Sequence, residues 1–85
     1  MKLRPEFITH DDNGEQLMIS VDGSFNGMVR SNSTAAEIID LLKEETTVDR
    51  IADAMLEKYE VEREVVVADI ERVISSLRKI GAIDE

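Results

Sequence analysis

Cysteine and tryptophan are absent from this chain, and proline, tyrosine and histidine occur once each. Without thiols there are neither disulfides nor thiolate metal sites to hold the fold or bind an ion. A lone histidine is poor material for acid–base catalysis. His10 falls at an expected hairpin end and reads as an exposed turn residue, since a general base needs a partner and a pocket. Positive charge is also scarce, with 10 basic residues against 19 acidic ones and a formal net charge of −9. Such a surface stays soluble but repels phosphate backbones and anionic membranes, so neither nucleic acid nor membrane is an expected partner. No apolar run approaches the roughly 18 residues of a membrane span. The first residues, Met1-Lys2-Leu3-Arg4-Pro5-Glu6, lack the apolar core of a signal peptide. A cytoplasmic protein is expected. At 85 residues the chain forms one domain, residues 1–85. A domain of this size buries only about 60% of its unfolded surface, which leaves little room for an enclosed active site.

What the chain does contain is punctuation. Phe7, Ile8 and Thr9 favour a strand over residues 4–10, with Pro5 suited to its start or to a sheet edge. Asn13-Gly14 is a hairpin signal, because both residues tolerate positive φ. The returning strand covers residues 15–21, where alternation sets Leu17, Ile19 and Val21 on one face and Met18 on the other. Asp22-Gly23 is a second turn of the same chemistry. A third strand follows over residues 24–31. Its patterning is mixed, and Gly27 between Phe25 and Met28 predicts a bulge or a close backbone approach. Such a strand suits an exposed edge, where Arg30 can act as a guard against unwanted pairing.

The junction from Gly27 to Leu42 organises the rest. Thr34 and Glu37 have capping-box spacing, and Ser33 is an equally good cap by side chain alone. The first helix is expected over residues 33–43, with Ala35, Ile38, Ile39 and Leu42 on one face. Thr47 should cap the second helix, which carries Ile51, Met55 and Tyr59 at four-residue spacing and ends near Tyr59. The third helix, residues 64–80, is the longest. Its apolar residues Val66, Val67, Ile70, Val73, Ile74, Leu77 and Ile80 span an arc of roughly 140°, wider than the ~100° a single core contact needs. Gly81 can supply the left-handed residue that ends it. Three short strands followed by three helices predict an α+β domain, a winged helix-turn-helix-like fold with a three-stranded antiparallel sheet.

Asn32-x-Thr34-Ala35-Ala36-Glu37-Ile38, the Thr-led second helix, Asp69-Ile70 on the third and the Gly81-x-Ile83 ending together resemble the PqqD family. These are small proteins of pyrroloquinoline quinone biosynthesis, whose fold is shared with the recognition elements of ribosomal peptide-maturation (RiPP) pathways. The resemblance runs from Arg4-Pro5 to Ile83. It implies a non-catalytic module without cofactor that binds the leader segment of a precursor peptide and presents it to a modifying enzyme, often a radical SAM enzyme. It further implies that the leader adds as a strand to the third strand and packs against the third helix, a β-augmentation.

By position, the resemblance gives a strand wall of Phe25, Met28, Val29 and Arg30. The helix wall is Val66, Asp69, Ile70, Val73, Ile74 and Leu77. Backbone groups from Met28 to Arg30 would pair with the leader; Met28, Val66, Ile70 and Val73 would line apolar pockets; Arg30 and Asp69 would set register by charge. Ile74 and Leu77 are the helix residues most suited to the domain's own core. Ser31 departs from the family pattern, which has an apolar residue there.

Other motifs resolve to simpler readings. Asp11-Asp12-Asn13-Gly14 lacks the remaining ligands of a calcium loop and is explained as a turn. Asn32-Ser33-Thr34 matches a glycosylation acceptor in a chain with no sign of secretion. The alternative function is a winged-helix DNA-binding regulator, whose third helix would enter the major groove. Glu64, Asp69 and Glu71 beside Arg72 on that helix argue against it.

Overall fold

The computed structural model describes residues 1–23 and 25–85. In chain order the elements are β1 (Lys2–Leu3), β2 (Phe7–Asp12), β3 (Glu15–Ser20), β4 (Met28–Ser31), α1 (Ser33–Leu41), α2 (Val48–Lys58), α3 (Arg63–Lys79) and β5 (Ile83–Asp84). Strands β2, β3 and β4 form an antiparallel sheet in that order, while β1 and β5 pair separately as a short clasp. The α+β winged-helix arrangement is the expected one, with the clasp added.

Local chemistry accounts for the boundaries. The first long strand starts at Phe7 rather than Arg4, because Pro5 lies inside a turn closed by the Phe7 amide donating to the Arg4 carbonyl at 3.1 Å. Proline's fixed φ suits that turn, and its missing amide excludes it from the ladder. Asn13 (φ 50°) and Gly14 (φ 82°) both adopt the left-handed conformation that a two-residue hairpin requires. The third strand is shorter than residues 24–31; its expected first residue, Ser24, lies outside the described residues. The Phe25 ring folds over Gly27, where an added Cβ would come 3.0 Å from the ring's Cζ. The close approach signalled by that glycine is therefore made by a side chain, and β4 begins only after it.

The alternation along β3 holds, and the buried face is the one carrying Met18. Met18 and Gln16 are each 1% exposed, whereas Ile19 and Val21 are 42% and 60% exposed. Gln16 can be buried because its Nε2 donates to Asp40 Oδ1 of α1 at 3.0 Å and, at 3.4 Å, to Asp11 Oδ1. Under the sheet, Met18 and Phe7 meet Ile38, Ile39, Ile51, Met55, Ile70 and Ile74 in a single core.

The cap of α1 differs from the expectation. Asn32, not Ser33 or Thr34, accepts the Ala35 amide through its Oδ1 at 2.9 Å. Glu37 is drawn elsewhere, accepting the Tyr59 hydroxyl at 2.8 Å. An asparagine in extended conformation directly after a strand reaches the third helical amide without a hydroxyl's help. Thr47 caps α2 as expected, accepting from the Arg50 amide at 3.2 Å. Gly81 (φ 75°) closes α3 in a Schellman turn, with the Ala82 amide on the Leu77 carbonyl at 2.9 Å and the Gly81 amide on Arg78 at 3.1 Å.

The two cap candidates are separable by urea unfolding. Asn32→Ala should cost about 1 kcal/mol, while Thr34→Ala should stay within about 0.5 kcal/mol of the parent, as exposed substitutions usually do.

Candidate functional site

β4 is an edge. Its residues Met28, Val29, Arg30 and Ser31 face Ile19, Met18, Leu17 and Gln16 of β3 on one side. No described strand lies on the other. Asn32 then ends the strand and starts α1 at once, which turns the chain under the sheet instead of along its border. Side chains alternate across this edge. Val29 is half-buried and Ser31 buried, both on the helix side, whereas Met28 and Arg30 are exposed on the outer face.

Beneath the edge runs a groove of about 270 Å³. Its strand wall is Val29, Arg30 and Ser31, its floor Asn32, Ala35 and Ile39, and its helix wall Arg72, Val73, Ser76 and Leu77 of α3. It continues along α3 past Thr34, Ile38 and Asp69. It ends in an apolar cup of about 160 Å³ between the helices, bounded by Met55, Tyr59, Val61, Val65 and Val66. The Tyr59 hydroxyl is tied to Glu37, and that neighbouring carboxylate raises its pKa above the usual value.

Of the sequence-predicted residues, Val29, Val73 and Leu77 come together in the groove, and Arg30 borders it from the strand while lying on the outer face. Met28 stands at the same edge but turns outward, 49% exposed. Phe25 packs on the margin of the core beside Gly27. Val66 and Asp69 lie further along, at the cup. Asp69 is engaged by Arg72, whose Nη1 donates to its Oδ1 at 2.9 Å one turn away. Ile70 and Ile74, 0% and 1% exposed, are wholly inside the core and stand behind the groove rather than on its wall. The wide apolar arc of α3 thus divides: Ile70 and Ile74 point into the domain, and Val73 flanks the opening.

Sequence reasoning missed Ser31, Asn32, Ala35, Ile39, Arg72 and Ser76. Two of these were legible in retrospect. Ser76 lies three residues after Val73, and Arg72 four residues before Ser76, so a helix face carrying Val73 and Ser76 reaches Arg72. Ala35 offers a different signal, being the small residue that leaves room between α1 and the strand. No helix among the described residues is long and apolar enough to cross a membrane, and no cluster of metal-ligating side chains is found among them.

The fold and open edge define a small winged-helix domain with a groove suited to an extended chain. The sequence profile of the PqqD family, coenzyme PQQ synthesis protein D, matches residues 15–83. The chain belongs to that family. None of the curated proteins matches it. Two solved structures share its fold. "Lasso peptide synthetase B1 complexed with the leader peptide" is 26% identical with a TM-score of 0.78, the match covering 95% of this chain and 93% of that one. "TbiB1 in Complex with the TbiA(beta) Leader Peptide" is 20% identical with a TM-score of 0.80, covering 99% and 100%.

The division of α3 predicts different thermodynamic responses. Ile70→Ala should lower unfolding free energy by about 2–5 kcal/mol through lost burial and the cavity left behind. Val73→Ala, at the half-exposed wall, should cost less than about 1.5 kcal/mol. Chemical denaturation of the two variants measures the contrast.

Proposed function

We propose that this chain is a non-catalytic peptide-binding adaptor, a RiPP recognition element, that captures the leader segment of a ribosomal precursor peptide. The leader adds to β4 as a fourth strand of the sheet and lays alternate side chains into the groove against α3. One observation carries this reading: the border of β4 that no described strand pairs lies directly above a groove lined by Val29, Val73 and Leu77. Edge amides and carbonyls offer an extended peptide main-chain hydrogen bonds, and the groove offers pockets for every second side chain. Family membership supports the reading, as do two structural neighbours solved as leader-peptide complexes.

Within it the residues divide their work. Backbone groups from Met28 to Arg30 pair with the guest. Val29, Val73 and Leu77 take its inward side chains, and Val66 and Asp69 border the stretch beyond Asn32. Ile70 and Ile74 act from behind, fixing the position of α3. Phe25 holds the strand's entry. The modifying enzyme that receives the peptide is a radical SAM enzyme, on the strength of the family's place in coenzyme PQQ synthesis.

Titration of the isotope-labelled protein with the leader of a precursor encoded beside its gene tests the reading. The amide resonances of Met28 to Arg30 should move most. Val73→Asp should weaken binding at least tenfold, since a carboxylate facing an apolar peptide side chain must be desolvated, a penalty above about 1.4 kcal/mol. Ile70→Asp would be uninformative, because it places a charge in the core. A leader that leaves β4 unmoved at millimolar concentration would rule out strand addition.

A further inference from the structure

Adding a strand to β4 prolongs the rows of side chains that cross the outer face of the sheet. Register aligns Ile8, Ile19 and Met28 in one row and His10, Leu17 and Arg30 in the next. The first row is apolar yet stands in water, with Ile8 47%, Ile19 42% and Met28 49% exposed. The second ends at the open edge on Arg30. In a chain with 19 carboxylates, that guanidinium has no ion-pair or hydrogen-bond partner among the described residues. The carboxylates of this face, Asp12 and Glu15, oppose each other in the row beyond, on β2 and β3 and away from the edge.

Directly opposed residues on neighbouring strands have Cβ atoms within about 5.5 Å, where opposite charges attract and like charges repel. We propose that the guest segment carries an acidic residue opposite Arg30 and an apolar one opposite Met28, with a second apolar residue between them turned inward toward Val73 and Leu77. The three known strands of this sheet are antiparallel, and antiparallel pairing is the more stable per residue. A guest pairing in that sense reads acidic–apolar–apolar from its N- to its C-terminus. The acidic side chain completes the row that ends on Arg30, and the outward apolar one covers Met28 and extends the row begun by Ile8 and Ile19. This assignment rests on the strand-addition reading and names the class of peptide the edge selects.

Panning a random-peptide phage library on the intact protein and on its Arg30→Glu variant tests both together, with β4 amide shifts confirming where each selected peptide sits. Arg30 is exposed, so the variant should fold as the parent does. Peptides selected on the parent should share an acidic residue two positions before an apolar one, and selection on Arg30→Glu should replace that acid with lysine or arginine. The best acidic peptide should bind the variant roughly 5- to 30-fold more weakly, and its acid-to-lysine version should recover the loss. Peptides that shift β4 but show no charge preference at that position, or that keep the acid on the variant, would overturn the assignment while leaving strand addition standing. A library yielding no peptide that shifts β4 would overturn both.

Discussion

Asn32 stands one residue beyond an edge strand and accepts the amide that starts the next helix. Those two duties leave the chain no length in which to run alongside β4, so nothing in sequence order follows that strand on its open side. Helix α1 passes beneath the sheet instead, tied to β3 through the Gln16–Asp40 hydrogen bond. The chain returns as α3 along the same underside. An exposed backbone border and an apolar trench thus come from one constraint: a cap placed immediately after a strand.

The remaining structure keeps that trench from collapsing. Below roughly 100 residues a core has little stability to spare, and a groove lined by Val29, Ile39, Val73 and Leu77 invites closure. Ile70 and Ile74 anchor α3 from the far side. The Schellman turn at Gly81 directs the chain into β5, where Ile83 pairs with Leu3. That clasp ties the end of α3 to the first residues, and the Leu3 amide also donates to the Leu42 carbonyl just past α1 at 2.7 Å. Both helices bordering the trench are therefore referenced to one fixed point.

Turn chemistry made much of this legible from sequence. Asn13-Gly14, Thr47 and Gly81 each act through a local rule that needs no knowledge of distant partners, and each sits where that rule puts it. The misread features depend on partners far away. Asn32 outcompeted Thr34 because the strand before it sets its backbone, and Glu37 left the cap because Tyr59, remote in sequence, offered a hydroxyl. Alternation in β3 identified two faces without saying which was buried. Gln16 lies on the buried face because Asp40, on a different element, accepts from its amide nitrogen. On α3, an over-wide arc announced two contacts but could not apportion Ile70 and Val73 between them.

An open strand edge is a liability as well as a site, and register gives this one little to gain from pairing with its own copies. Two β4 strands pairing antiparallel on the same face must oppose residues of like parity. One such register sets Arg30 against Arg30. The next sets Val29 against Val29 and Arg30 against Met28, leaving Ser31 opposite Gly27, which lies outside the strand. Each leaves one strand residue opposite a residue outside the strand, the first also juxtaposes like charges, and neither offers a carboxylate to the arginine. Long-range repulsion between copies, each with a net charge of −9, adds to this. Screening confines that repulsion to roughly 8 Å at physiological salt, so the discrimination is made at contact, by the order of side chains on four residues of strand.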